Sequence, residues 1–239
     1  MSNAVVSAFK NKQLRKKLLF TTLILIVVRF GSQLPIPEID SAQISAYLKS
    51  TLGDSFSLLN SFTGGSFMQM SVFALSVTPY ITSSIIMQLM TIVIPALEEM
   101  QKDGEDGRKK IVAITRYLTV GLALMESTAM AVGFGRQGLL KEFNFVNAAI
   151  VVLTLTAGST FLMWIGERIT EKGVGNGISI VLVINIISRI PSDMTTLFTK
   201  FVKGKSLASG GLAVVIIVAI ILVLVVFVVV LQDGERRIA

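Results

Sequence analysis

Residues 60–90 read "NSFTGGSFMQMSVFALSVTPYITSSIIMQLM", and this stretch decides the fold. It is long and apolar enough to cross a membrane. Yet it opens near the pair Gly64–Gly65, has Pro79 inside it, and carries Ser71, Ser76, Thr78, Thr82, Ser83, Ser84 and Gln88, with Thr91 just beyond. Lipid offers such groups nothing to bond to. Pro79 predicts a kink, because it leaves the carbonyl of Leu75 without its helical donor. Two readings follow. One is a bundle-buried helix whose small residues permit close packing and whose hydroxyls bond back to their own backbone. The other is a helix lining a water-filled path, where non-helical backbone is tolerated at membrane depth. The Gly pair suits a short helix folded back into a cavity just before the span.

The rest of the chain supports a membrane setting. Of its 239 residues, 52% are hydrophobic and only 15% charged, with a mean hydropathy of +0.74. Soluble domains carry roughly a quarter charged residues. Cys and His are both absent. That excludes disulfide scaffolds, thiolate chemistry, Cys/His metal sites and His as a catalytic base. An intramembrane Ser–Lys protease would need a Lys within a span, and no predicted span has one. These absences predict a protein that is not an enzyme and holds no cofactor or metal.

The apolar residues fall in six blocks. Residues 1–17 are polar and basic and read as an amphipathic surface helix. The run Leu18–Leu34 starts like a signal peptide. No small-residue cleavage site follows, and "PIPEID" ends the helix, so it predicts a retained span carrying Arg29. The second span is Ser71–Ile94. The third, Ile111–Val132, contains Arg116 and Glu126, and the fourth is Ala148–Gly166. The fifth, Ile178–Ile190, is short: 13 residues reach about 20 Å against about 30 Å of hydrocarbon. The sixth, Leu212–Leu231, has no polar side chain.

Loop charge gives an orientation. With the N-terminus inside, cytoplasmic segments 1–17, 97–110, 167–177 and 232–239 hold 13 Lys/Arg, and external segments 35–70, 133–147 and 191–211 hold 6. Both chain ends are then cytoplasmic. The net charge of +7 is mostly an inside marker, which argues against recognition of a specific nucleic acid sequence. Arg29 and Glu126 both lie in the outer halves of their helices, which predicts a structural ion pair between them.

Gly173, Gly175 and Gly177 alternate in "GERITEKGVGNGISI", allowing a tight turn between the fourth and fifth spans. A phosphate-binding loop is a weak alternative, since no Lys-Ser/Thr follows. Asn176 or Ser179 is placed to cap the next helix.

The stretches "PYITSSIIMQL", "FLMWIGERITEKGVGNGISI" and the terminal "GERRI" resemble the SecY family of protein-translocation channel subunits. "FTGGSFMQMSVFALSVTPYI", "VVRFGSQLPIPEID" and "DGRKKIVAITRY" are similar to further segments of that family, in family order from about Arg15 to Arg237. The resemblance implies an all-α polytopic membrane protein: six transmembrane helices and a short re-entrant plug helix, half of an inverted-repeat channel fold. Family members have ten such helices, so the chain is expected to be the first half plus one helix, cut in a cytoplasmic loop. The expected layout is a basic segment 1–17, helices 1–5 with the plug over 18–190, an external loop 191–211, helix six over 212–231 and the start of a loop over 232–239.

The resemblance also implies roles. Val77, Ile81, Ile178 and Leu182 match a ring of aliphatic side chains at the waist of a pore. Each pair is spaced i,i+4 on one helix face. Ordinary core packing is the alternative for these four. Residues about 57–69, including Leu59, Asn60, Phe62, Thr63, Gly64, Gly65 and Ser66, match the plug. Ser83, Ser84, Met87 and Gln88 would face the pore or a lateral gate. Lys102, Arg108, Lys109, Lys110, Arg236 and Arg237 would dock cytoplasmic partners. The implied partners are SecE, SecG, the ATPase SecA, the ribosome, an unfolded polypeptide with a signal sequence, and lipid. The implied location is the bacterial cytoplasmic membrane. An ion-coupled secondary transporter using a buried Glu126 is the alternative function.

Overall fold

The computed structural model describes residues 11–52, 60–201, 203 and 207–234. The described residues form eight named helices: α1 Lys12–Gly31, α2 Ser41–Leu52, α3 Thr78–Val93, α4 Pro95–Lys102, α5 Glu105–Arg136, α6 Phe145–Lys172, α7 Gly177–Phe201 and α8 Leu207–Asp233. Extended structure is limited, among these residues, to two isolated bridges, Pro35 with Ser71 and Ile39 with Leu140. Four helices (α5 to α8) are long and apolar enough to cross a membrane, five if the bent pair α3–α4 is one span. Helix α1 has the length, at 20 residues, but carries five basic residues, four of them in its first six positions.

Two compact units divide the chain, residues 1–188 and 189–239. In the first, α5 packs along α6 and against α3, and α1 packs against α6. Small residues permit these approaches. A Cβ on Gly158 of α6 would strike the carbonyl of Val72, and one on Gly177 would strike the carbonyl of Gly166. Between helices in lipid there is little hydrophobic driving force, so close packing and hydrogen bonds must hold them. Ser127 Oγ and Thr156 Oγ1 share one such bond at 2.9 Å between α5 and α6. Two apolar clusters form the interior. One joins Ile36, Ile44, Met70, Leu75, Phe134 and Leu155 with their neighbours. The other joins Val28, Phe73, Val77, Leu162, Ile165, Ile169 and Val181.

The second predicted span is corrected. Residues 71–77 are not helical; they wind through turns with φ of 44° at Met70 and 53° at Ser76. The helix begins at Thr78, with Pro79 in its first turn. There the missing N–H would have had no helical acceptor anyway, so Pro79 starts the helix rather than kinking it. The carbonyl of Leu75 accepts from the Thr78 amide at 3.3 Å instead of standing free. At the other end the chain bends by 101° into α4, none of whose residues is buried.

The fifth span is also corrected. It does not stop at Ile190, and residues 191–201 are helix, not external loop. Pro191 sits inside α7, which reaches 25 residues and so exceeds the hydrocarbon thickness. Near it, Ser188 Oγ donates to the carbonyl of Asn185 at 2.6 Å, and Arg189 pairs with Asp193 at 3.4 Å. In the second unit, α8 is apolar around its whole circumference; its span 211–232 has none of its residues buried within the chain.

Candidate functional site

The site is built where the turned segment 60–77 meets α3 and α7. Val77 is the N-cap residue of α3 and is fully buried in the second apolar cluster. The amide of Ile81 bonds to the carbonyl of Val77 at 3.1 Å, which stacks the two on one face. Ile81, Ile178 and Leu182 are partly buried and pack against that same cluster. The structure therefore gathers all four predicted ring residues about one apolar centre, with Ile81 and Ile178 also lining a shared groove.

That groove has a volume of about 480 Å³. Its polar lining comes from Tyr80, Ser84 and Gln88 of α3, Arg116 of α5, and Glu167, Thr170 and Glu171 of α6, with Asn176 and Ser179 at the start of α7. Arg116 Nε donates to Glu167 Oε1 at 2.7 Å, tying α5 to α6. Glu167 is only 14% exposed in its side chain, so the pair neutralises a charge that would be costly alone. Glu171 accepts from Arg168 at 2.8 Å, and the Arg168 guanidinium lies 5.8 Å from the Trp164 ring.

The four proposed gate residues divide between two faces of α3. Ser84 and Gln88 line the groove. Ser83 and Met87 are buried instead, and Ser83 Oγ bonds to the carbonyl of Pro79 at 2.7 Å. The groove-lining and the buried residues of α3 thus lie on different sides of one helix.

Asn176 caps α7, its Oδ1 accepting from the amides of Ile178 at 3.1 Å and Ser179 at 3.3 Å. Of the three alternating glycines, Gly175 has φ of 69°, while Gly177 is required by the approach to Gly166.

The plug positions Asn60, Thr63, Gly64, Gly65 and Ser66 are buried, and Phe62 is exposed; Leu59 lies outside the described residues. Residues 60–62 are helical and 63–70 are turns. Lys102, Arg108, Lys109 and Lys110 are exposed. Lys102 pairs with Glu98 at 2.7 Å, and Lys109 lies 3.7 Å from Glu105 and 3.6 Å from Asp106. Arg236 and Arg237 lie outside the described residues.

The predicted Arg29–Glu126 pair does not form. Arg29 Nη1 points to the carbonyl of Gly64 at 3.4 Å, and Glu126 has no ion-pair partner among the described residues. Similar depth along two helices did not put them on facing sides. Glu126 is only half-buried, so the transporter alternative gains nothing from it. Sequence reasoning missed Glu167 as the partner of Arg116, and it missed Asn185. An Arg inside one span with a Glu at the end of the next was the available signal for the first. Asn185, a lone amide in the apolar run "IVLVINIIS", was the signal for the second.

Comparison with known proteins decides the family. The SecY family profile matches residues 71–239. The chain belongs to the SecY family. It is 41% identical to protein translocase subunit SecY of Corynebacterium glutamicum, over 99% of this chain and 54% of that protein. It is 40% identical to the subunit SecY of Pseudomonas aeruginosa, over 98% of this chain and 53% of the relative. The chain therefore spans about half the length of the curated SecY proteins it matches. The fold is similar to a solved structure described as "The structure of a protein conducting channel", with a TM-score of 0.52 over 80% of this chain and 38% of that one. It is similar as well to "Sec61 in the Canine ribosome-channel complex from the endoplasmic reticulum", with a TM-score of 0.55 over 94% of this chain and 48% of that one. At 19% identity both likenesses concern the fold alone. Membership of the SecY family and the apolar helices make this a multi-pass membrane protein.

Proposed function

We propose that this chain forms one half of a protein-conducting channel that moves unfolded polypeptides across a membrane and releases apolar helices into it. One observation carries the reading: Val77 and Ile81 at the start of α3 and Ile178 and Leu182 at the start of α7 pack in or against one apolar cluster. A ring of aliphatic side chains closes a narrow path by dewetting and yields around an extended chain, because it offers no specific hydrogen bonds. The turned segment 60–70 is the plug on this reading, and the groove beside Ser84 and Gln88 is the vestibule through which a chain enters. Nothing in this mechanism requires covalent catalysis by the chain.

The same reading assigns the exposed cations Arg108 and Lys110, with Lys102 and Lys109, to a cytoplasmic docking face. SecE and SecG, the ATPase SecA, the ribosome and a signal-bearing polypeptide are the proposed partners. The cytoplasmic membrane of a bacterium is the proposed location, with both ends of this chain inside.

Photo-crosslinking tests the ring. A photoreactive residue is placed at Ile81 and, separately, at Ile220, with the remaining half of the family's length supplied as a second polypeptide. A secretory chain is then stalled in the membrane. Adducts from Ile81 and none from Ile220 are expected. Absence of an Ile81 adduct in an assembled complex removes the ring assignment.

A further inference from the structure

Residues 60–69 form several hydrogen bonds among themselves. The Gly65 amide donates to the carbonyl of Asn60 at 2.9 Å, and Thr63 Oγ1 donates to the same carbonyl at 3.1 Å. The Phe67 amide donates to Thr63 Oγ1 at 3.3 Å, and the Met68 amide to Asn60 Oδ1 at 3.3 Å. A segment bonded this way can move as a body without losing its own structure. One end of it is fixed: the Ile36 amide donates to the carbonyl of Met70 at 2.9 Å, and the Val72 amide to the carbonyl of Leu34 at 3.0 Å.

The middle of the segment is gripped at Gly64. Arg29 Nη1 of α1 donates to its carbonyl at 3.4 Å. Gly64 has φ of 66°, and a Cβ there would lie 2.9 Å from Arg29 Nη1 and 3.1 Å from both Cα and the carbonyl oxygen of Asn185. So Gly64 is held between α1 and α7. Asn185 is 2% exposed, and its Nδ2 reaches Ser76 Oγ at 3.4 Å, which fixes the side chain behind the grip. At 3.4 Å both bonds lie just beyond the usual range of about 2.7–3.2 Å for an N–H···O bond, so each is weak enough to break and re-form. Arg29 stands in the last turn of α1, where its reach to a backbone carbonyl 35 residues away is a tertiary contact. Asn60 Nδ2, Ser66 Oγ, Ser71 Oγ and Asn185 Oδ1 are buried with no hydrogen-bond partner among the described residues. Water would satisfy them once the segment moved, which lowers the cost of leaving.

We propose that Arg29 is a polar latch that holds residues 60–69 shut by bonding the backbone at Gly64 against the backbone of Asn185, with the 70–72 pairing to 34–36 as its hinge. Parting of α1 from α7 opens the grip. Arg29 is the positioning residue on this account, and Asn185, anchored to Ser76, is the wall behind Gly64. The inference rests on the channel reading for its purpose, but its geometry can be tested without it.

The chain has no Cys, so Ser66→Cys gives one reactive position, and it costs no hydrogen bond because Ser66 Oγ has no partner among the described residues. The full-length assembly in sealed membranes is treated with a membrane-impermeant maleimide. Labelling of this buried site is expected to be slow. Adding Arg29→Gln is expected to raise the rate about threefold, the factor for losing one weak hydrogen bond. Arg29→Lys is expected to restore slow labelling. No rise with Arg29→Gln overturns the latch. So does an equal rise with Val151→Ala, a cavity in the other apolar cluster. If Arg29→Gln does not assemble, Ser76→Ala decides: a rise supports the latch and no rise overturns it. Resting ion conductance, recorded in parallel, separates the two readings. Faster labelling without ion leak keeps the latch and removes the plug role. Leak and Ile81 crosslinks with unchanged labelling keep the channel and remove the latch.

Discussion

Glycine at 177 and glycine at 121 share an amino acid and a helical setting, but not a role. Gly177 opens α7 against the carbonyl of Gly166, and any Cβ there must push the helices apart. Gly121 lies mid-α5 with nothing within 4 Å of an added Cβ. Gly177→Ala is therefore expected to destabilise by about 1–3 kcal/mol, the usual cost of overpacking. Gly121→Ala should be neutral or stabilising by up to about 1 kcal/mol through helix propensity. Melting of the purified assembly in detergent checks both; equal effects would remove the packing argument. At this scale the motif "GVGNG" was legible as a turn with a cap, because φ and capping are local properties. Which of its glycines served conformation and which served contact depended on Gly166, eleven residues back on another helix.

At the scale of elements, an ion pair and a proline govern the outcome. Arg116 and Glu167 couple α5 to α6 at 2.7 Å, with side chains 46% and 14% exposed. The exposed partner limits the gain through solvent screening, so a double-mutant cycle with Arg116→Gln and Glu167→Gln should give a coupling of about 1 kcal/mol. A coupling near zero in the same melting assay would show that the pair orients nothing. Pro79 was legible as a disruption but not as a beginning. Helix-breaking and helix-starting prolines look alike until the acceptor of the missing N–H is known. Ile190 shows the reverse error: the apolar run ends there, but the helix continues through Pro191 to Phe201.

Across the whole molecule, burial separates the helices into two kinds. Helix α6 buries a full face, including Val151, Leu155, Leu162 and Ile169. Helix α8 has no buried residue among 211–232, and its residues 212–231 are apolar on every side. Such a surface requires lipid or another polypeptide. A lipid-soluble carbene reagent is expected to modify Ile216, Ile220 and Val223 of α8 and to spare Leu155 and Leu162. Protection confined to one stripe of α8 would identify a face covered by protein. Protection of the whole helix would show that it is not in lipid.

By itself, the sequence determined an all-helical membrane chain, the approximate place of its spans, the capped glycine turn and the SecY family, because apolar block length, capping chemistry and local motifs need no knowledge of neighbours. Tertiary structure alone decided where α3 begins, that α7 runs through Pro191, that Arg29 faces Gly64 rather than Glu126, and that Ser83 is buried while Ser84 lines the groove. Each of those depends on which group another segment presents within hydrogen-bonding distance, and no local pattern encodes that.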